Sequence, residues 1–177
     1  LAVAGAGFAF WQRYEAGQRA KASAAFIAAQ SISVPGPAES AFAKIAADAP
    51  GGYRLLARLE QANTMLASGN SASAVTLYKS IAADDSGPIG AVARLRAAWA
   101  LADTSGRDDL ESLLGPLTDP KSPWSQLARE VLAYADLRAG DSKAAEGAYE
   151  SLASDPDSPD ALRMRARAMA DFIKSGM

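Results

Sequence analysis

Apolar residues recur along most of the chain at the three- and four-residue spacing of amphipathic helices. Leu55, Leu59, Ala62 and Leu66 fall at i, i+4, i+7 and i+11, one stripe of a helix. Gly69 follows, where a left-handed residue ends helices. Ser71 is placed to cap a second helix whose stripe is Ala74, Leu77, Tyr78 and Ile81. Farther on, Ser122-Pro123 and Ser158-Pro159 each read as a cap followed by proline at the first helical position. The helices between and after them carry Ala145, Ala148, Tyr149 and Leu152, then Leu162, Met169, Phe172 and Ile173. Residues 33–37, Ser-Val-Pro-Gly-Pro, predict a loop between a long first helix and the next.

The pattern repeats. Residues 56–84 shifted by 71 positions match at twelve of twenty-nine places, among them Arg58/Arg129, Gly69/Gly140, Tyr78/Tyr149, Ser80/Ser151 and Asp84/Asp155. A shift of 71 is two periods of about 36, and the intermediate copy shows in Val92-Ala93-Arg94 and Ala98. An earlier partial copy, Ile45-Ala46-Ala47-Asp48, recurs at Ile81-Ala82-Ala83-Asp84, with Phe42 opposite Tyr78. Each unit reads as two antiparallel helices. The middle one is irregular: Asp108-Asp109 starts its second helix, Leu110, Leu113, Leu114 and Leu117 form the stripe, and Gly115-Pro116 predicts a shortened or kinked helix.

Composition narrows the function. Eighteen basic against twenty acidic residues give a net charge of −2, without the one-signed field that nucleic-acid binding requires. Cysteine and histidine are absent, which removes disulfides, His/Cys zinc sites and histidine-dependent nucleophiles. Gly5-Ala6-Gly7 lacks the third glycine of a dinucleotide loop. Asp155, Asp157 and Asp160 resemble a calcium loop, but the sixth position is Asp160 instead of glycine and the twelfth is Ala166. Helix ends explain these carboxylates, and Asp84-Asp85 likewise. No cofactor, metal or catalytic residue is expected.

Residues 1–11 are an uncharged run ending in Trp11, followed by Arg13, Tyr14, Arg19 and Lys21. Eleven helical residues rise about 16 Å, half a bilayer core, so a membrane-spanning reading needs apolar residues upstream of Leu1; the absence of an initial Met agrees with that. Phe8, Phe10, Trp11 and Tyr14 are the candidate anchor residues, Trp11 and Tyr14 standing where an interfacial belt would. A signal-peptide remnant cleaved near Ala2-Val3-Ala4 and a buried core helix are the competing readings. Ala2, Gly5, Ala6 and Ala9 place small residues at helical spacing, so a homodimer through this helix is expected without a bilayer.

Gly140-Asp141, Ala145, Tyr149, Leu152 and Asp155-Pro156, with the period, resemble tetratricopeptide repeats, although Arg58, Arg94 and Arg129 stand where a bulky aromatic is expected. The fold expected is all-α: a right-handed tetratricopeptide-like solenoid of antiparallel hairpins with a long N-terminal helix and a C-terminal capping helix. Its parts are an anchor end (1–11), a long helix with a first degenerate repeat (12–52), three repeats (53–87, 88–122 and 123–158) and a cap (159–177).

A closer resemblance runs over nearly the whole chain. Gly7 and Trp11, the basic long helix, Tyr53-x-x-Leu56-Ala57-x-Leu59-Glu60-x-Ala62 and Ala91-Val92-x-x-Leu95-Arg96-x-Ala98 are similar to the ancillary Sec translocon subunit family. That resemblance implies a single-pass inner-membrane protein with a periplasmic repeat domain, associated with the SecYEG channel and periplasmic chaperones. A repeat scaffold for envelope assembly, stress response or cell division is the alternative.

Arg58, Arg94 and Arg129 occupy equivalent repeat positions, and none has an acid three or four residues away. They are the candidate partner-binding residues, a row of guanidinium forks for an acidic segment or a chain terminus. The plainer expectation is that their stems cover apolar surface while their heads reach solvent or acids of adjacent helices.

Overall fold

The computed structural model describes the backbone of residues 2–176 and the side chains of residues 10–176. Phe8 and the small residues Ala2, Gly5, Ala6 and Ala9 therefore lie outside the described side chains. Among the described residues there are nine α-helices and no strand: α1 (Ala2–Gln30), α2 (Pro35–Asp48), α3 (Gly51–Ala67), α4 (Ser71–Asp84), α5 (Pro88–Leu101), α6 (Arg107–Leu114), α7 (Ser125–Arg138), α8 (Ser142–Ser154) and α9 (Asp160–Lys174). The chain divides into two compact units, Leu1–Asp84 and Asp85–Met177. Within each, helices adjacent in sequence pack against one another, the pairing of a tetratricopeptide-like fold.

In the first unit α1 packs on α2 and α3, α2 on α3, and α3 on α4. Its core is alanine-rich and close-set: Ala22, Ala29, Ala38, Phe42, Ile45, Ala49 and Ala57 are buried together. Phe26 meets Phe42 edge-on with ring centroids 5.5 Å apart, and Tyr53 lies 6.1 Å from Phe26. Alanine permits such close helix approach, and the aromatics fill what it leaves. In the second unit one cluster joins α5, α6 and α7 through Leu95, Ala98, Leu110, Leu114 and Val131. Another joins α7, α8 and α9 through Ala133, Tyr149, Leu152, Leu162 and Ala166.

Gly69 and Gly140 close α3 and α7 with φ of 85° and 84°. In each case two hydrogen bonds satisfy the last carbonyls: Gly69 and Asn70 donate to Leu66 and Met65, and Gly140 and Asp141 to Leu137 and Asp136. The irregular middle unit is as the proline predicts, α6 being eight residues long and passing into a 3-10 turn at Gly115–Leu117.

Several boundaries differ from the sequence expectation, each for a local reason. The first loop is shorter, since α2 begins at Pro35 with Val34 at its N-cap. Pro35 and Pro37 sit in the first turn, where backbone N–H groups have no intrahelical partner to lose. Ser122 caps no helix; its Oγ accepts from Trp124 N–H in a turn, and α7 starts at Ser125. Pro159, not Ser158, is the N-cap of α9, and the buried Ser158 Oγ has no hydrogen-bond partner among the described residues. Ser71 lies inside α4, and Ala74 N–H bonds the preceding Asn70 carbonyl at 3.1 Å. In α8 the cap is Asp141, whose carboxylate accepts from Ala144 N–H at 3.0 Å. On α9, Phe172 is exposed, while Ala166 and Ala170 continue the buried stripe from Leu162.

Candidate protein-interaction surface

The repeated arginines bind inside their own hairpins. Arg58 on α3 donates to Asp84 Oδ2 at 2.7 Å and to Ser80 Oγ at 2.8 Å, both on α4. Arg129 on α7 makes the equivalent pair of contacts on and just beyond α8, to Asp155 Oδ2 at 3.4 Å and Ser151 Oγ at 2.9 Å. All three members of this clamp stand among the identities of the 71-residue shift, so the signal was present in the sequence. In the middle repeat the positions matching the serine and the acid are Pro116 and Pro120. There the 3-10 turn and the missing N–H of Pro116 free the Leu113 carbonyl, and Arg94 Nη1 donates to it at 2.9 Å. All three guanidiniums are thus engaged within the chain, Arg58 and Arg129 with an acid on or just beyond the returning helix and Arg94 with a backbone carbonyl. Arg58 belongs to the first unit and the other two to the second.

Arg58→Gln is expected to lower stability by about 1 kcal/mol, because its side chain is mostly covered and two polar partners lose a charged donor. Arg129, more exposed and with the longer ion pair, is expected to cost about half that on the same substitution. Urea midpoints of the two single variants check the order.

The adjacent carboxylates divide their work. Asp84 serves the clamp, whereas the Asp85 carboxylate accepts from Gly90 N–H at 2.7 Å and so caps α5. Asp108 and Asp109 occupy the first turn of α6, where the helix dipole favours them. Among the described residues no cluster of three acids, histidines or cysteines is able to hold a metal ion.

Tyr149 is buried on α8, and its phenol is pushed up to about 12, first by burial and then by the charge of Glu130. A raised pKa means that the folded state holds the proton more tightly. The contribution is therefore fully present below the unfolded value of 10.0 and is lost as pH rises from there to about 12. Wild-type stability is expected to fall by roughly 2–3 kcal/mol more than that of Tyr149→Phe between pH 9 and pH 12, read from urea midpoints at both.

Among the described residues, three exposed aromatic or apolar surfaces stand out. On α1, Phe10, Trp11 and Tyr14 are all more than half exposed. Trp11 and Tyr14 border a hollow of about 680 Å³ floored by Tyr53 and Leu56. Among the described residues, no helix is long and apolar enough to cross a membrane. On the second unit, exposed Trp99 of α5 stacks at a tilt on Tyr134 of α7, centroids 5.7 Å apart. Tyr134 donates to Asp103 at 2.7 Å, and this hydrogen bond raises its pKa ahead of burial and the Asp103 charge. The sequence reading missed this shelf because residues 35 apart meet there only through the α5–α7 packing. The third is the outer side of α9, with Met164 69% exposed and Phe172 47% exposed.

None of these surfaces carries a constellation for nucleophilic or acid–base chemistry; they are apolar and aromatic, suited to protein contact. Against known protein families, the sequence matches the tetratricopeptide repeat-like domain over residues 1–170. No curated protein and no solved structure matches it. With nearly the whole chain covered and its helices packed in adjacent pairs, the protein belongs to the tetratricopeptide repeat-like domain family.

Proposed function

We propose that this protein is a membrane-anchored, periplasmic protein-binding scaffold at the bacterial inner membrane, an ancillary component of the Sec translocon that links SecYEG to periplasmic chaperones. Tetratricopeptide-like domains in general mediate protein–protein interaction and are not catalytic, and stacked hairpins present extended surfaces without requiring any chemistry. The observation that carries the tether is on α1. One continuous helix leads from the first described residues into the packed repeats, and Phe10, Trp11 and Tyr14 stand exposed on its leading part. Aromatic rings at that place suit a membrane–water interface, with Arg13 among them and Arg19 and Lys21 following. Support for the Sec partner comes from the resemblance of the Tyr53–Ala62 and Ala91–Ala98 segments.

In this reading the arginines hold the hairpins in shape, and Arg129, with a side chain 43% exposed, has a face left for an acidic segment. A reporter active only outside the cytoplasm, fused after Met177 of the full-length protein, tests the topology. Activity is the expected result; a cytoplasmic signal, or recovery of the fusion free of membranes, removes the periplasmic reading. The variant with Arg58, Arg94 and Arg129 all replaced by Gln tests the arginines, and partner capture unchanged at equal folded fraction excludes them from the docking surface.

A further inference from the structure

We propose that the protein self-associates through α9, with two copies of the helix crossing antiparallel about Ala168. One side of α9 packs into its own unit through Leu162, Ala166, Met169, Ala170 and Ile173. The other presents Ala161, Met164, Ala168 and Phe172, all exposed, at spacings of three, four and four. That is a helical stripe of its own, so α9 is apolar on two opposite sides although only one is covered. A solvated capping helix would be polar there. Beside the stripe runs a groove of about 670 Å³ bordered by Ala153 of α8, Arg163, Arg167 and Asp171.

Charge identifies the occupant. Arg167 and Asp171 flank the stripe on the same side, and neither has an ion pair among the described residues. The neighbouring charges are committed: Arg163 to Asp160, Arg165 to Glu130 in a two-pronged contact, and Lys174 to Glu150. When identical helices pair antiparallel and face to face, like flanks meet. A two-fold axis at Ala168 sets Met164 against Phe172 of the second copy. It also brings Arg167 within side-chain reach of Asp171 of that copy, twice by symmetry. Alanine at the crossing lets the axes approach closely. The surface is thus complementary to itself in both shape and charge, while a polyanion or polycation would meet one wrong sign. A single helix pair buries less than the roughly 1,000 Å² of a permanent interface, so the dimer is weak and concentration-dependent.

Sedimentation of this chain across concentrations of about 1 to 500 µM tests the proposal, with a midpoint on the order of 10 µM expected. Arg167→Asp and Asp171→Arg are each expected to weaken dimerisation at least about tenfold, and the double exchange to restore it, because exchanging both signs preserves the pairing. Both positions are exposed, and unchanged helical circular dichroism confirms that the variants are folded. A monomer throughout the range overturns the proposal. So does a dimer that none of these substitutions alters, or one abolished by Trp11→Ala and untouched at Arg167.

Discussion

Replacing Gly90 with alanine is expected to destabilise the second unit by about 3 kcal/mol or more, although it adds a single methyl group. Gly90 lies in the first turn of α5, buried, with Asp85 folded over it. A β-carbon there would stand 1.7 Å from the Asp85 carbonyl oxygen and 2.7 Å from its carbon. Those are backbone atoms and cannot swing aside like the end of a flexible side chain. The start of α5 would have to move, and the bond from Gly90 N–H to the Asp85 carboxylate would go with it. Gly147→Ala is the control. That residue is exposed, in the middle of α8, with nothing near the added carbon, so the same change is expected to stabilise by about 0.5–1 kcal/mol. Denaturant midpoints of the two variants should move in opposite directions; equal shifts would show that the close approach at Gly90 does not govern stability.

The second large effect is expected at Arg165. Glu130 of α7 is 7% exposed and is met by Arg165 Nε at 3.1 Å and Nη2 at 3.0 Å from α9. Taking one partner from a fully buried pair costs about 3–5 kcal/mol, since the other charge is stranded in a poor solvent. Arg165 is itself half-exposed, so water partly replaces it, and about 2 kcal/mol is expected for Arg165→Ala. Arg165→Lys should recover only part, because an ammonium cannot supply the planar fork. Removing both charges together, as Glu130→Leu with Arg165→Met, should cost less than Arg165→Ala alone. A double variant that loses the sum of the single effects would mean that the two side chains act independently.

The hairpins were legible because their signals are local. Stripes at helical spacing and glycines at Gly69 and Gly140 survive in any helical packing, and the 71-residue shift adds a long-range check. Caps were less legible, since serine before proline is ambiguous. Ser158-Pro159 and Ser122-Pro123 read alike, yet Pro159 takes the cap itself and Ser122 closes a turn. The roles of the arginines needed geometry. Arg58, Ser80 and Asp84 recur together in the sequence, but only the antiparallel return of α4 beside α3 makes them one contact. Trp99 with Tyr134 and Glu130 with Arg165, thirty-five residues apart in each case, depend on packing that no short window encodes. The exposed side of α9 was hidden differently: Phe172 fits a buried stripe by period, and alanines took its place in the core.

In the proposed function these repeats bind proteins while α1 holds them at the membrane. A photo-crosslinking residue placed at Trp99, and separately at Met164, in the full-length protein within native membranes puts both parts to the test. Adducts at Trp99 with a channel subunit or a periplasmic chaperone, and at Met164 with a second copy of this chain, are the predicted result. Full-length protein that fractionates away from membranes, with no adduct to either partner at Trp99, would contradict it.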